Sequence, residues 1–195
     1  MKKALPWIIV VVILLAIFLW VKNTYNSLVS ADEAASSAWA QVENVYQRRS
    51  DLIPNLVATV KGYAEYEGNT LQEVVEARAK ATQVTVDPER LDEESIARFQ
   101  ESQTALGSAL GRLMVVVEKY PDLKANQNFL DLQAQLEGTE NRISVERKNF
   151  NEVVQSYNTK LRRFPSNIIG NIFGFEKKGY FKAVEGAEVA PQVEF

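Results

Sequence analysis

Between Tyr25 and Tyr63 the chain places Tyr25, Leu28, Ala35, Trp39, Val42, Tyr46, Ile53, Leu56, Val60 and Tyr63 in one register of alternating three- and four-residue steps. That spacing predicts a single long helix with a seam for neighbouring helices. Asp32 and Arg49 fall in the same register, although neither suits an apolar interface. Pro54 removes one backbone hydrogen bond, so a bend is expected there, or a new helix after a turn at Ser50-Asp51. Gly68-Asn69 reads as a break. Thr70-Leu71-Gln72-Glu73 has the form of a capping box, opening a second helix to about Thr82. Leu71, Val74, Val75 and Arg78 would share one side of it. The acidic run Asp92-Glu93-Glu94 suits the start of a third helix. Its seam is Ile96, Phe99, Gln103, Leu106, Leu110, Leu113, Val117 and Tyr120. Gly107, Ala109 and Gly111 give this helix a small-residue face that predicts close approach of another helix. A fourth helix is expected from about Asn126 to Arg163, with Phe129, Leu132, Leu136, Glu140, Ile143, Arg147, Phe150, Val154, Tyr157, Leu161 and Phe164 in its seam. Pro165 stops it.

Four amphipathic helices with short connections predict an all-α, antiparallel up-down-up-down bundle. Sliding the first and fourth seams until Tyr25 is level with Phe164 sets Arg49 opposite Glu140 and Asp32 opposite Tyr157. Two polar pairs inside apolar seams are therefore expected, because a buried charge without a partner costs several kcal/mol. The competing expectation is that both seams drift and these residues reach a solvated edge.

The segment before this bundle is different in kind. Ala4 to Val21 carries no charge and lies between Lys3 and Lys22. As a helix it would span about 27 Å, near the hydrocarbon thickness of a bilayer. Trp7 and Trp20 sit near its ends, where indole favours the interface. A cleaved signal peptide is the rival reading, with Val29 and Ala31 as cleavage-site residues. The apolar run is longer than a usual signal core, and that site lies well beyond it. An uncleaved anchor is expected, spanning residues 1–22. Lys2 and Lys3 against Lys22 alone place the body on the outer, periplasmic side of a bacterial plasma membrane.

After the bundle, residues 23–164, the composition changes. In the tail, residues 165–195, Ile168, Ile169, Ile172 and Phe173 form one helical face, followed by Phe175, Lys177 and Lys178. An apolar face with flanking lysines predicts a helix at the bilayer surface, with cations toward anionic headgroups. Capping of the bundle's open end is the alternative. The end Val193-Glu194-Phe195 is of a kind that docks in a partner's groove or folds back on its own domain.

Composition narrows the chemistry. The net charge is −3, and a mildly acidic body argues against nucleic-acid binding. With no cysteine and no histidine, thiolate nucleophiles, Ser-His systems and Glu-x-x-His di-iron sites are unavailable to the chain. No phosphate-binding or dinucleotide fingerprint occurs. No enzyme activity, cofactor or metal is therefore expected.

Several blocks are specific enough to compare with known families: Tyr25-Asn26-Ser27-Leu28-Val29, Tyr46-Gln47-Arg48-Arg49-Ser50-Asp51-Leu52-Ile53-Pro54-Asn55-Leu56-Val57, Leu136-Glu137-Gly138-Thr139-Glu140-Asn141-Arg142-Ile143, Phe164-Pro165-Ser166-Asn167, and Phe173-Gly174-Phe175 with Tyr180-Phe181. On these blocks the chain resembles the LemA family of bacterial membrane proteins. The resemblance implies a single-pass N-terminal anchor and a long-helix bundle, and supplies no residue of known role. Three functional readings follow. The first is a membrane-tethered scaffold that binds envelope proteins or copies of itself. The second is a membrane-surface remodeller acting through the tail. The third is a carboxylate-metal or small-ligand site inside the bundle, lined by Asp32, Glu67, Glu140 and Arg49.

Overall fold

The computed structural model describes the backbone of residues 5–183 and the side chains of residues 7–183 other than Glu65. All regular structure among these residues is helical. The first helix, α1, runs without interruption from Leu5 to Lys61. A 3-10 turn at Glu65–Glu67 leads into α2 (Gly68–Gln83). Then follow α3 (Glu93–Val117), a single turn α4 (Pro121–Lys124), the long α5 (Gln127–Arg162) and the short α6 (Ser166–Phe173). The fold is an N-terminal apolar helix that continues into a helical bundle. α5 lies along α1, and α2 and α3 form a hairpin whose inner side chains both pack on α1.

Pro54 does not interrupt α1. Its missing N–H leaves the Ser50 carbonyl without the usual donor one turn on. Arg78 of α2 supplies the replacement, its Nε donating to Ser50 O at 2.8 Å. The proline thus costs one internal bond and creates a docking point for the second helix.

The helix ends differ from expectation in one place. α2 begins at Gly68, before Thr70, and no side chain caps it. Glu73 is drawn instead to Arg112 of α3, at 3.0 Å. Val75 faces solvent, half exposed, while Leu71, Val74 and Ala81 are the buried residues of this helix. At α3 and α5 the helix starts fall where the sequence places them, and each is capped by a side chain. The Asp92 carboxylate accepts from the Ser95 N–H at 2.8 Å, which holds its pKa below the ordinary aspartate value. Asn126 Oδ1 accepts from the Phe129 N–H at 3.1 Å at the start of α5.

The core falls into three clusters along α1. Farthest from the N-terminus, Ile53, Leu56 and Val60 meet Leu106, Leu113, Phe129 and Leu136. The middle is aromatic: Trp39, Tyr46, Phe99, Phe150 and Phe181. Nearest the apolar segment, Leu28 meets Tyr157, Leu161 and Ile169.

Phe181 comes from beyond the last helix. Gly174 ends α6 in the left-handed conformation, φ 74°, which a residue with a Cβ rarely adopts. The chain then turns back and runs extended between α5 and the start of α3. Side-chain amides hold this strap by its backbone. Asn158 pairs with both the N–H and the C=O of Lys178, Asn151 with those of Phe181, and Gln100 with those of Lys182. Gly179 passes so close to α3 that an added Cβ would lie 2.6 Å from Glu93 Cα. The Phe181 ring stacks on Trp39 at 5.8 Å and meets Phe150 edge-on at 5.6 Å. Of the tail, for which a place at the membrane surface and a cap on the bundle were both open, the stretch from Glu176 to Lys182 is an integral part of the bundle. Val193-Glu194-Phe195 lies outside the described residues.

Candidate functional site

Two polar layers cross the apolar interior. In the first, Arg49 is 3% exposed, although it carries a full charge. Its Nη1 lies 2.6 Å from Glu140 Oε1 of α5. Its Nη2 donates to Gln103 Oε1 at 2.6 Å and to Gln103 O at 3.2 Å, tying α1 to α3 as well. The guanidinium also sits over the Tyr46 ring, 5.1 Å from its centroid. Burial raises the Tyr46 pKa, while Arg147 and Arg49 pull it back down. The Arg49 Nε–H finds no acceptor among the described residues. The structure therefore brings Arg49 and Glu140 together and adds Gln103, whose place in the α3 seam was the only sequence signal for it.

In the second layer Asp32 lies beside Tyr157 as expected and gains a cation besides. Asp32 Oδ1 pairs with Lys178 Nζ at 2.9 Å. Tyr157, 1% exposed, donates its hydroxyl to the Glu176 carbonyl at 2.8 Å. Burial raises its pKa, and the nearby Asp32 carboxylate adds to the effect. Asp32 and Tyr157 share the layer, but the charge that answers Asp32 comes from the strap. Lys178, expected at the lipid surface, is 5% exposed and lies over the Tyr157 ring. The reason is the strap's reversal, which helical extrapolation from α6 cannot anticipate.

The remaining membrane-surface residues divide. Trp7 is 73% exposed and Trp20 is 38% exposed, and every side chain from Trp7 to Trp20 lies open. Ile169 is buried against Leu28 and Tyr157, so it is a core residue rather than a surface one. Ile168, Ile172 and Phe173 stand exposed, with Phe164 beside them. Phe173 and Phe175 pack on Tyr25 of α1, at 4.8 and 5.8 Å between ring centroids. Lys177 points into solvent. Tyr25, on which Phe173 packs, is five residues, about 7.5 Å of helix rise, beyond Trp20.

The acidic groups do not converge. Asp32 meets Lys178, Glu140 meets Arg49, and Glu67 accepts from the Tyr120 hydroxyl at 3.2 Å. These are separate levels of the bundle. Among the described residues no group of three or more Asp, Glu, His or Cys is placed to hold a metal ion. The cavity that was to unite Asp32, Glu67, Glu140 and Arg49 is not formed.

What does open is a groove of about 660 Å³ between α3 and α5, with Tyr46 and Arg49 of α1 among its lining residues. Gly107 and Gly111 line it. A Cβ added at either would meet nothing within 4 Å, so among the described residues no helix packs on the face where close approach was expected. The strap holds α3 and α5 together only toward the Glu93 end of α3.

The family model for LemA matches residues 38–195. The chain belongs to the LemA family. Among characterised relatives, LemA of Metamycoplasma hominis is 24% identical over 160 residues, covering 82% of this chain and 69% of that protein. Magnetosome protein MamQ 2 of Paramagnetospirillum magneticum is 25% identical over 175 residues. Magnetosome protein MamQ of Magnetospirillum gryphiswaldense is 24% identical over 189 residues, covering 87% of this chain and 70% of that protein. The LemA-family chain spans only 64% of the MamQ 2 length, and its match is 81% of its own. The matched region begins one residue before Trp39 and carries both Arg49 and Glu140.

Proposed function

We propose that this LemA-family protein is a single-pass, membrane-tethered helical scaffold of the bacterial envelope that binds other envelope proteins or copies of itself. The observation behind this reading is the continuity of α1. One helix is open on all sides from Trp7 to Trp20 and enters a packed core from Leu28 without a linker. Its apolar part is long enough to cross a bilayer. A body fixed rigidly to its anchor holds its faces at a set height and angle above the membrane. The exposed α6 face supports a second element of the same reading: Ile168, Ile172 and Phe173 rest in the interface and bring the bundle's base onto the lipid. The charge asymmetry around the span favours the outer, periplasmic side for the body.

Because the chain lacks cysteine, a single Tyr66→Cys substitution at the exposed far end gives an unambiguous probe. A membrane-impermeant maleimide should label it in intact cells. Labelling only after lysis would place the body inside. Crosslinking in intact cells, read by mass spectrometry, tests the scaffold itself. Recurrent adducts with one other protein or with a second copy are expected, and a background that scales with protein abundance alone would overturn the reading. A membrane remodeller would instead deform anionic vesicles through α6, and Ile172→Glu would abolish that effect.

A further inference from the structure

The strap runs straight at the open groove between α3 and α5. Its residues follow α5 backwards in order: Lys178 is held by Asn158, Phe181 by Asn151 and Lys182 by Arg147. On the other side they follow α3 forwards. Gly179 passes Glu93, and Lys182 pairs with Gln100. Three strap steps thus cover seven residues of α3. That is the ratio expected of extended chain beside helix, about 3.3 Å per residue against about 1.5 Å. Ala183, the last described residue, shares a cavity with Ser144, Arg147 and Lys148. Ser144 and Arg147 also line the open groove. The path therefore points along the groove, toward Gly107 and Gly111.

The α3 side of the groove suits a passing backbone. Gly107 and Gly111 each cost this helix about 1 kcal/mol relative to alanine. Among the described residues nothing packs on them, so nothing there accounts for that cost. The strap shows how near an extended chain comes to this helix: a Cβ added at Gly179 would lie 2.8 Å from Glu93 N. The residues that come next are Val184-Glu185-Gly186-Ala187-Glu188-Val189. They are small or apolar apart from two carboxylates. Arg147 and Lys148 stand at the entrance to receive such charge. Glu137 and Glu140 line the α5 rim, and like charge turns the segment to the α3 side. From Arg147 to Gln133 the groove is about 21 Å long at helical rise, the length of about six extended residues.

We infer that residues 184–189 continue the strap through the open groove, extended along the Gly107 and Gly111 face of α3. Counting on from Lys182 at Gln100, at about 2.2 residues of α3 per step, sets Glu185 level with Gly107 and Ala187 level with Gly111. The Glu140 rim stays in water. The groove is then shut to other chains until the segment is released, and the clamp between α3 and α5 reaches well past the Glu93 end. The inference stands apart from the scaffold reading, which needs no occupant in this groove.

The test uses the full chain in lipid nanodiscs holding one copy each. The chain has no cysteine, so Gly111→Cys with Ala187→Cys supplies the whole thiol content. A Cβ at Gly111 meets nothing within 4 Å among the described residues, so the substitution leaves the packing as it is. Oxidation should join this pair at least about tenfold faster than Val75→Cys with Ala187→Cys, because a docked segment raises the effective concentration at one place only. Val75 is exposed on α2. The second readout needs no cysteine. A glutamate-specific protease cuts a docked segment in proportion to the fraction released, so Gly111→Trp, which fills the groove from the helix side, should be cut after Glu185 and Glu188 at least about tenfold faster than the parent. Val75→Trp should be cut like the parent. Melting by circular dichroism establishes that Gly111→Trp is folded, and Gly107→Trp stands in if it is not. Equal oxidation of the two cysteine pairs, or equal cleavage of the parent and the folded groove variant, overturns the inference. So does a disulfide that forms only between copies sharing a micelle, which would assign the groove to a second copy's segment.

Discussion

Arg49 and Glu140 differ sharply in their surroundings, and that difference predicts an asymmetric response to mutation. The Arg49 side chain is 4% exposed and that of Glu140 is 49% exposed, yet the two lie 2.6 Å apart. Replacing Glu140 with alanine strands a buried guanidinium with the Tyr46 ring and, as hydrogen-bond acceptor, Gln103. Stranding one member of a fully buried pair costs about 3–5 kcal/mol. Here the open groove lets water reach the site, so Glu140→Ala is expected to cost about 2–3 kcal/mol. Arg49→Met strands a carboxylate already half in water and fills the seam with an apolar chain of similar reach. Its expected cost is about 1 kcal/mol, chiefly from Gln103 losing its donor. The double variant should be more stable than the sum of the two singles implies, with a coupling of about 1–2 kcal/mol. Thermal unfolding of the full chain in detergent micelles, followed by circular dichroism, reads all four proteins. Glu140→Ala should lower the midpoint by roughly 5–10 °C. If Arg49→Met proves the more damaging single change, or if the two effects simply add, the buried-charge account is wrong.

Three further outcomes are expected. Phe181→Ala removes a core ring 5% exposed and should cost about 3–4 kcal/mol; it should also make the strap cleavable near Gly179 in limited proteolysis, and an unchanged digest would refute the strap's role. Arg78→Ala should cost about 1–2 kcal/mol by orphaning the Ser50 carbonyl, but much less in a Pro54→Ala background, where the helix regains its own donor; equal costs in both backgrounds would sink that explanation. Burial holds the Tyr157 hydroxyl pKa above its ordinary value, so the folded chain keeps a proton that the unfolded chain loses. Stability from this group is therefore complete below about pH 10 and falls above it, by about 1.4 kcal/mol per pH unit. Tyr157→Phe should make the alkaline limb of the melting profile shallower, and an identical limb would count against it.

The helices were legible because each carries its own periodicity. The α1, α3 and α5 seams, the helix starts near Asp92 and Asn126, and the apolar N-terminal run are all local patterns. Even the Arg49–Glu140 register could be read, since two antiparallel rods of known rise have one free offset. The α2 start was misplaced because a capping box is a local preference that Glu73 abandons for Arg112. Val75 was misassigned for a related reason: a short helix offers too few turns to fix its buried face.

Nothing local announces the strap. Its segment is short, without helical or strand periodicity, and its partners Asn151, Asn158 and Gln100 are ordinary polar residues on helix surfaces until the chain reverses at Gly174. Local spacing therefore determined which residues turn their sides inward and that the apolar rod meets the bundle in one helix. Which cation answers Asp32, where Phe181 goes and why Gly107 and Gly111 face empty space were decided by contacts between residues far apart in the chain. Such contacts depend on where a reversal sends the backbone, and a single torsion angle at one glycine sets that direction.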